Sequence, residues 1–387
     1  MTTNVLAKTA GIVRSTFRGY YFRTNMIETP DKIEQREFGY MQSGQAGMVR
    51  HLSFKSMKEL IAMIMKVVPS DIYCSNAYYR FPTYPMQEKQ WLGADLIFDI
   101  DGKDLHLPCI LSHTYLVCAN CGHASSSTPD EKKEYICSAC TGKKADNVSI
   151  PCFKCIDGSK KEVKLLIEIL TDELGMLRDD IHVYFSGNNG FHIQVNDNAY
   201  VPLDSQARSD LVGYLSGSGL MAESVGVRKG NAENMSFIKF PKSGLAYGWR
   251  GKIADKLKID SSSIIKLQHI VEQKGGYIPF KTYVDRMARD MGVRIDPQVS
   301  IDVHRVFRMP GTLNSKSGLA KMKCDDLGSF DPFVDACLLG DSKVTVRVKT
   351  PVRLKLRNKQ FNISNESAEL PEYAAIYLIC KGLAVAS

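Results

Sequence analysis

Two Cys-x-x-Cys pairs, Cys118/Cys121 and Cys137/Cys140, separated by residues 122–136, constrain the fold of this chain more than any other feature. Each pair can form one knuckle, and two knuckles complete a tetrahedral thiolate shell, so the spacing predicts a structural zinc ribbon ahead of an iron–sulfur cluster. His123, next to the first knuckle, is read as a bystander because four thiolates already fill the shell. The sequence holds 11 cysteines in 387 residues. Its opening, MTTNVLAKTAGIVRSTF, lacks the continuous apolar core of an export signal, so a reducing compartment is expected, where paired cysteines act as metal ligands. Cys74, Cys324, Cys337 and Cys380 have no such spacing and are read as small buried apolar side chains. No run of 18 apolar residues is free of charge, so no membrane association is expected.

Around the ribbon the sequence reads as mixed α/β. Residues 56–68 (SMKELIAMIMKVV) place apolar side chains at helical spacing, with Ser56 as cap and Pro69 as stop. A strand is predicted over 94–100, and a helix over about 161–174 with Gly175 at its end. Residues 182–185 and 191–195 read as short strands around the tight turn Ser-Gly-Asn-Asn-Gly. Residues 204–290 look like a mainly helical insertion, 299–309 like a return to strand, and the last 40 residues carry no identifiable chemistry.

Three motifs carry chemistry. In Leu-Ile-Phe-Asp-Ile-Asp, Asp99 and Asp101 stand two apart, so a strand would point both to one face. Two such carboxylates repel unless a cation lies between them, and hard oxygen ligands select Mg²⁺ or Mn²⁺, hence phosphate chemistry. The competing reading is a strand end running into a polar turn, where Asp104 is simply solvated. In Ser186-Gly187-Asn188-Asn189-Gly190-Phe191-His192 the glycines let backbone N–H groups approach an anion, and Ser186 and His192 can donate to phosphate; an ordinary hairpin is the plain alternative. The third motif, residues 295–319, supplies Asp296, the basic residues Arg305 and Arg308, and a Ser/Gly-rich loop with Asn314 and Lys316. Arg308 and Lys316 could neutralise a triphosphate, whereas Arg305 fits an exposed strand equally well. The formal charge of +8 suits a polyanionic partner without specifying one.

In order and form these motifs resemble the small, catalytic subunit of archaeal and eukaryotic DNA primases. Tyr20-Tyr21, Arg36-Glu37-Phe38, Arg50-His51-Leu52-Ser53-Phe54 and Trp91-x-Gly93-Ala94-Asp95 resemble further words of that family, and the likeness runs over about residues 15–325. It implies a primase-type core of mixed, largely antiparallel sheets over 1–106, 156–203 and 291–345, a zinc module over 107–155, the helical insertion, and a segment 346–387 of unknown role. It implies metal-binding acids at Asp99, Asp101 and Asp296, with Asp302 a rival to the last. The triphosphate would be held by Ser186, Gly187, His192, Arg308, Asn314 and Lys316. It also implies a second zinc site from Cys109, His113, Cys152 and Cys155, with His106 an alternative to His113.

The resemblance further implies a primase activity, making short primers from nucleoside triphosphates on single-stranded DNA, and an iron–sulfur large subunit as partner within the replication machinery. The location would be the cytoplasm for an archaeal chain and the nucleus for a eukaryotic one. Asn314 departs from the family, which usually has His there, and weaker triphosphate binding is expected. The segment 14–23 is a candidate template contact, though its aromatics also fit a buried helix face. Two alternatives remain at this point: a repair or end-joining polymerase of the same superfamily, and a non-catalytic zinc-ribbon protein that binds DNA.

Overall fold

A computed structural model of the chain describes residues 3–43, 45, 47–125, 135–219, 227–229, 235–237, 248–259, 264–364 and 367–387. The chain divides into two compact units. The first comprises Met1–Lys161, His182–Leu203 and Asp302–Ser387, the second Glu162–Ile181 and Asp204–Ile301. Among the described residues no helix is long and apolar enough to cross a membrane.

The first unit is a mixed α/β structure with antiparallel sheets. In one four-stranded sheet the order is Val306–Arg308, Asp71–Ser75, Phe38–Met41, Val49–Leu52. In the other it is Met322–Lys323, Ile181–Phe185, Gly190–Val195, Leu96–Asp101. Alternation sets which side chains are inside: Leu96, Phe98, Ile100, Phe191, Ile193 and Val195 are buried, whereas Asp99, Asp101 and His192 are partly exposed. The helix Met57–Val67 starts where the sequence predicts it, with Ser56 accepting from the Glu59 N–H, and it ends on Val68 in a left-handed conformation. The N-terminal helix Thr3–Arg23 buries Phe17, Tyr20 and Tyr21 and leaves Phe22 exposed, so most of its aromatic face is core.

Three predicted boundaries change. The strand expected over 94–100 begins at Leu96, because Ala94 closes a separate strand, Trp91–Ala94, and Asp95 between them is held by Arg36 and Tyr78. The helix expected from 161 begins at Phe153 and passes into a π-helical turn, Ile169–Glu173, before Gly175 at φ 71°. The strand expected over 299–309 is only Val306–Arg308, and Pro297–Ile301 is a helical turn. Asp296 accepts the Gln298 N–H at 2.9 Å, and Pro297 starts the turn at no cost in hydrogen bonding.

Within the second unit the helices Ser205–Ser216, Gly248–Leu257, Ile264–Gln273 and Tyr277–Met291 surround a core of Trp249, Ile253, Leu267, Val271, Phe280 and Val284. A short hairpin, Val227–Lys229 with Met235–Phe237, accompanies them; much of 220–247 lies outside the described residues. The last 45 residues of the first unit are regular: strands Lys343–Val348, Val352–Leu356, Lys359–Ile363, Ser367–Pro371 and Ala384–Ala386, with the buried helix Glu372–Cys380.

Candidate active site

The antiparallel register between Leu96–Asp101 and Gly190–Val195 sets His192 opposite Asp99 and Gly190 opposite Asp101. Directly opposed residues share a face, so the imidazole stands beside the first acid, Nε2 lying 3.7 Å from Asp99 Oδ1. Gly190 is required by packing: a Cβ there would meet the Ile100 oxygen at 2.2 Å and the Asp101 Cα at 2.8 Å. The turn between the strands is closed by the Ser186 N–H to the Gly190 oxygen at 2.9 Å, with Ser186 Oγ accepting the Gly190 N–H. Asp101 Oδ2 lies 3.2 Å from Lys103 Nζ, and its other oxygen accepts the Lys103 N–H, so the polar-turn geometry and the paired acids coexist.

His192 has a buried Nδ1 with no hydrogen-bond partner. Burial holds the imidazole well below its ordinary pKa, and Lys321, Arg308 and Arg305 all push the same way. A neutral ring offers one N–H donor and one acceptor nitrogen, and Lys321, Arg308 and Arg305 add to the positive potential around it.

The loop after Val306–Arg308 folds back beneath the turn. Leu313 bridges to Ala320, and the Asn314 N–H reaches the Leu319 oxygen at 2.9 Å. Gly187, at φ 86°, lies against this loop; a Cβ on it would sit 3.1 Å from Asn314 Cβ and 3.2 Å from the Leu319 oxygen. Asn314 is buried and accepts the Lys316 N–H through Oδ1 at 2.9 Å, leaving Lys316 exposed. Arg308 is also buried: Nη1 contacts Asp71 Oδ1 at 2.6 Å and donates to the Leu313 oxygen at 2.8 Å. Asp71, which no motif indicated, is 1% exposed and also accepts the Ser315 N–H at 3.0 Å. Burial raises its carboxyl, but Arg308 and Ser315 outweigh that and hold it below the usual range. Lys321 donates to the Arg308 oxygen at 2.9 Å; burial and then Arg308 lower its ammonium to about 7.

Asp296 belongs to the second unit, where it caps its helical turn. Asp302 caps a turn of its own, accepting the His304 N–H at 2.9 Å. Asp104 and His106 are exposed.

Both cysteine-rich groups converge. The ligand atoms of Cys118, Cys121, Cys137 and Cys140 all lie within 4.8 Å of one another, as do those of Cys109, His113, Cys152 and Cys155. Sulfur–sulfur separations are 3.6 Å for Cys118–Cys140, Cys121–Cys137 and Cys109–Cys155, and 3.9 Å for Cys152–Cys155. A zinc–sulfur bond of about 2.3 Å gives a tetrahedral edge of about 3.8 Å, whereas a disulfide needs about 2.05 Å. These are metal-shell distances, and both groups could hold zinc. The two ribbon knuckles share one backbone device, a left-handed residue just after each pair: Gly122 at φ 68° and Thr141 at φ 58°. His123 lies outside the shell, 3.3 Å from Ser138 Oγ. In the other group His113 Nε2 is 3.3 Å from Cys155 Sγ while Nδ1 is 3.2 Å from Ser149 Oγ, a partner that fixes the ring's orientation. Among the described residues these are the two groups of three or more such ligands that converge.

Comparison with known proteins follows the same lines. The family model for the DNA primase small subunit matches residues 144–323. The chain is 44% identical to the DNA primase small subunit PriS of Nitrosopumilus maritimus over 376 residues, 96% of this chain and 97% of that one. It is 40% identical to the PriS of Cenarchaeum symbiosum, covering 97% and 98% of the two chains, and 31% identical to that of Archaeoglobus fulgidus, covering 96% of each. The chain belongs to the archaeal-type DNA primase small subunit family.

Proposed function

We propose that the chain is the catalytic subunit of a DNA primase, a DNA-directed nucleotidyltransferase making short primers from nucleoside triphosphates on single-stranded DNA. The observation that carries this reading is the strand register that sets Asp99 against His192 and Asp101 against Gly190, beside a cluster of cations. In the reaction a 3′-hydroxyl oxygen bonds to the α-phosphorus of the next nucleotide. The α–β anhydride bond breaks, pyrophosphate leaves and the hydroxyl proton passes to solvent. Bound Mg²⁺ or Mn²⁺ would lower the pKa of the hydroxyl and neutralise the departing pyrophosphate. Asp99 and Asp101 supply hard oxygen ligands for it, and the sequence resemblance adds Asp296 as a third.

The remaining residues orient the substrate. Gly187 would let the backbone approach a phosphate, Ser186 and His192 would offer it a hydroxyl and a ring nitrogen, and the exposed Lys316 would neutralise it. Arg308 and Asn314, both buried, hold the loop that carries Lys316, and Arg308 adds positive potential from beneath. Positioning and charge neutralisation supply most of the catalysis in phosphoryl transfer, so no covalent nucleophile is needed. We assign Zn²⁺ to both thiolate groups in a structural role, since four ligands leave no open position. The partners would be the single-stranded template, an iron–sulfur large subunit and the replication machinery, in the cytoplasm as for an archaeal chain.

The test is synthesis on a primer-free single-stranded template with Mg²⁺ or Mn²⁺. The wild-type chain with its large subunit should make primers, and Asp101→Ala should abolish synthesis while zinc content stays unchanged. Extension of supplied primers without initiation would indicate an end-joining polymerase instead. DNA binding with no metal-dependent incorporation would indicate a non-catalytic binder.

A further inference from the structure

The buried helix Glu372–Cys380 ends on Lys381, whose side chain is enclosed, with only 6% of the residue exposed. Its Nζ donates to the Ser149 oxygen at 2.8 Å, to Asn188 Oδ1 at 2.8 Å and to Asn189 Oδ1 at 3.4 Å. An ammonium has three donors, and three acceptors meet them here, which is what makes its burial tolerable. Two of the three belong to the glycine turn between Ser186 and Gly190. The third, Ser149, presents its hydroxyl to His113 Nδ1 at 3.2 Å. Asn189 also receives the Gly102 N–H on its backbone oxygen at 3.1 Å, next to Asp101.

We propose that Lys381 is a positioning residue for nucleotide binding: its ammonium fixes Asn188 and Asn189, and so the Ser186–His192 cradle, to the zinc-module strand that braces His113. The inference rests on the reading of that turn as the triphosphate cradle. The turn is also held by the 314–321 loop, through Ser317 Oγ to the Gly187 oxygen and the close approach of Gly187 to Asn314. Lys381 adds a second anchor at Asn188 and Asn189, so two elements hold the turn. The helix that delivers it is itself anchored, since Glu372 accepts from Thr16 Oγ1 at 2.8 Å and from the Gly340 N–H at 3.0 Å. Burial pushes the ammonium down to about 7, with Asp101 raising it and Lys316 lowering it, so Lys381 lies within electrostatic reach of both the proposed acid and the proposed triphosphate cation.

The test uses the full chain with its large subunit, measuring nucleoside triphosphate KM and kcat on a homopolymeric single-stranded template. Lys381→Met and Asn188→Ala should each raise KM about tenfold, the scale of a lost charge-assisted hydrogen bond, and change kcat less. Lys381→Arg should recover part of the loss. The double variant should be no worse than the poorer single one, because both remove the same bond. Zinc content should remain that of the wild type throughout. An unchanged KM in Asn188→Ala, or additive effects in the double variant, overturns the assignment even where Lys381→Met is poorly folded. A wild-type protein that makes no primers removes the proposed function itself, whereas active wild type with indistinguishable variants removes this inference alone.

Discussion

Removing the carboxylate of Asp71 tests whether the floor of the proposed nucleotide site is held by one buried ion pair. Asp71 is 1% and Arg308 8% exposed, and they meet at 2.6 Å. Breaking a buried pair from one side leaves the other charge uncompensated, at a cost of about 3–5 kcal/mol. Asp71→Asn keeps a carbonyl that can still accept the Ser315 N–H, and Arg308 keeps the Leu313 oxygen, so the lower end, about 3 kcal/mol, is expected. The urea midpoint of the variant against wild type at neutral pH measures it. Pairing it with Arg308→Met completes a double-mutant cycle. Most of the single-variant loss comes from a stranded charge, so the double variant should be more stable than the sum of the singles predicts, by about 2 kcal/mol or more.

The same pair fixes a pH dependence. Burial alone would raise the Asp71 carboxyl, yet Arg308 and the Ser315 contacts hold it below its ordinary value. A carboxyl depressed in the folded state contributes stability that is complete above its unfolded pKa, about 3.9, and is lost as pH falls through the folded pKa. The stability gap between wild type and Asp71→Asn should therefore narrow once pH drops below about 4. Additive cycle energies together with a gap that stays constant from pH 5 to pH 3 would show that the pair does not hold this loop.

Further outcomes follow from the metal groups and the turn. Metal analysis of the purified chain should give two zinc ions, with Cys118→Ser and Cys155→Ser each losing a different one; a single zinc in the wild type removes one site. Asn314→His should lower the nucleoside triphosphate KM several-fold by restoring the imidazole usual at this position in the family, and an unchanged or higher KM counts against the assigned role of residue 314. Gly190→Ala should destabilise the first unit by about 2 kcal/mol or more, because the atoms its Cβ would strike are backbone and cannot swing aside; thermal unfolding reads this directly.

Much of the site was legible because its signals are local. The two knuckles follow from spacing alone, and the Ser-Gly-Asn-Asn-Gly turn from composition. Asp99 and Asp101 could be assigned to one face from strand alternation, which the pairing with Gly190–Val195 then gave a partner strand. Of the boundary errors, one was avoidable from local signals and another was not. Asp-Pro at 296–297 is a capping residue followed by the residue best tolerated in a first helical turn, a signal that outweighs the apolar periodicity of 299–309. Ala94–Asp95 looked continuous with the next strand because Asp95 is buried, and only its partner Arg36, far away in sequence, shows why the chain breaks there.

Asp71 and Lys381 were illegible for a different reason. Each is a single charge whose meaning depends on partners hundreds of residues distant: Asp71 on Arg308, and Lys381 on Ser149, Asn188 and Asn189. Sequence does mark Lys381 as odd, since it stands alone in the apolar run 373–386. A lone cation in such a run must either reach solvent or find enough oxygen acceptors to replace it. Here it finds three, two of them on a turn that must be rigid if it is to hold a triphosphate in line. A rigid cradle needs fixed points from outside its own hairpin, because a short turn cannot immobilise itself against a charged, flexible ligand. The 314–321 loop and the end of the C-terminal helix supply such points, so a segment with no chemistry of its own in the sequence lies directly against the Ser186–Gly190 turn.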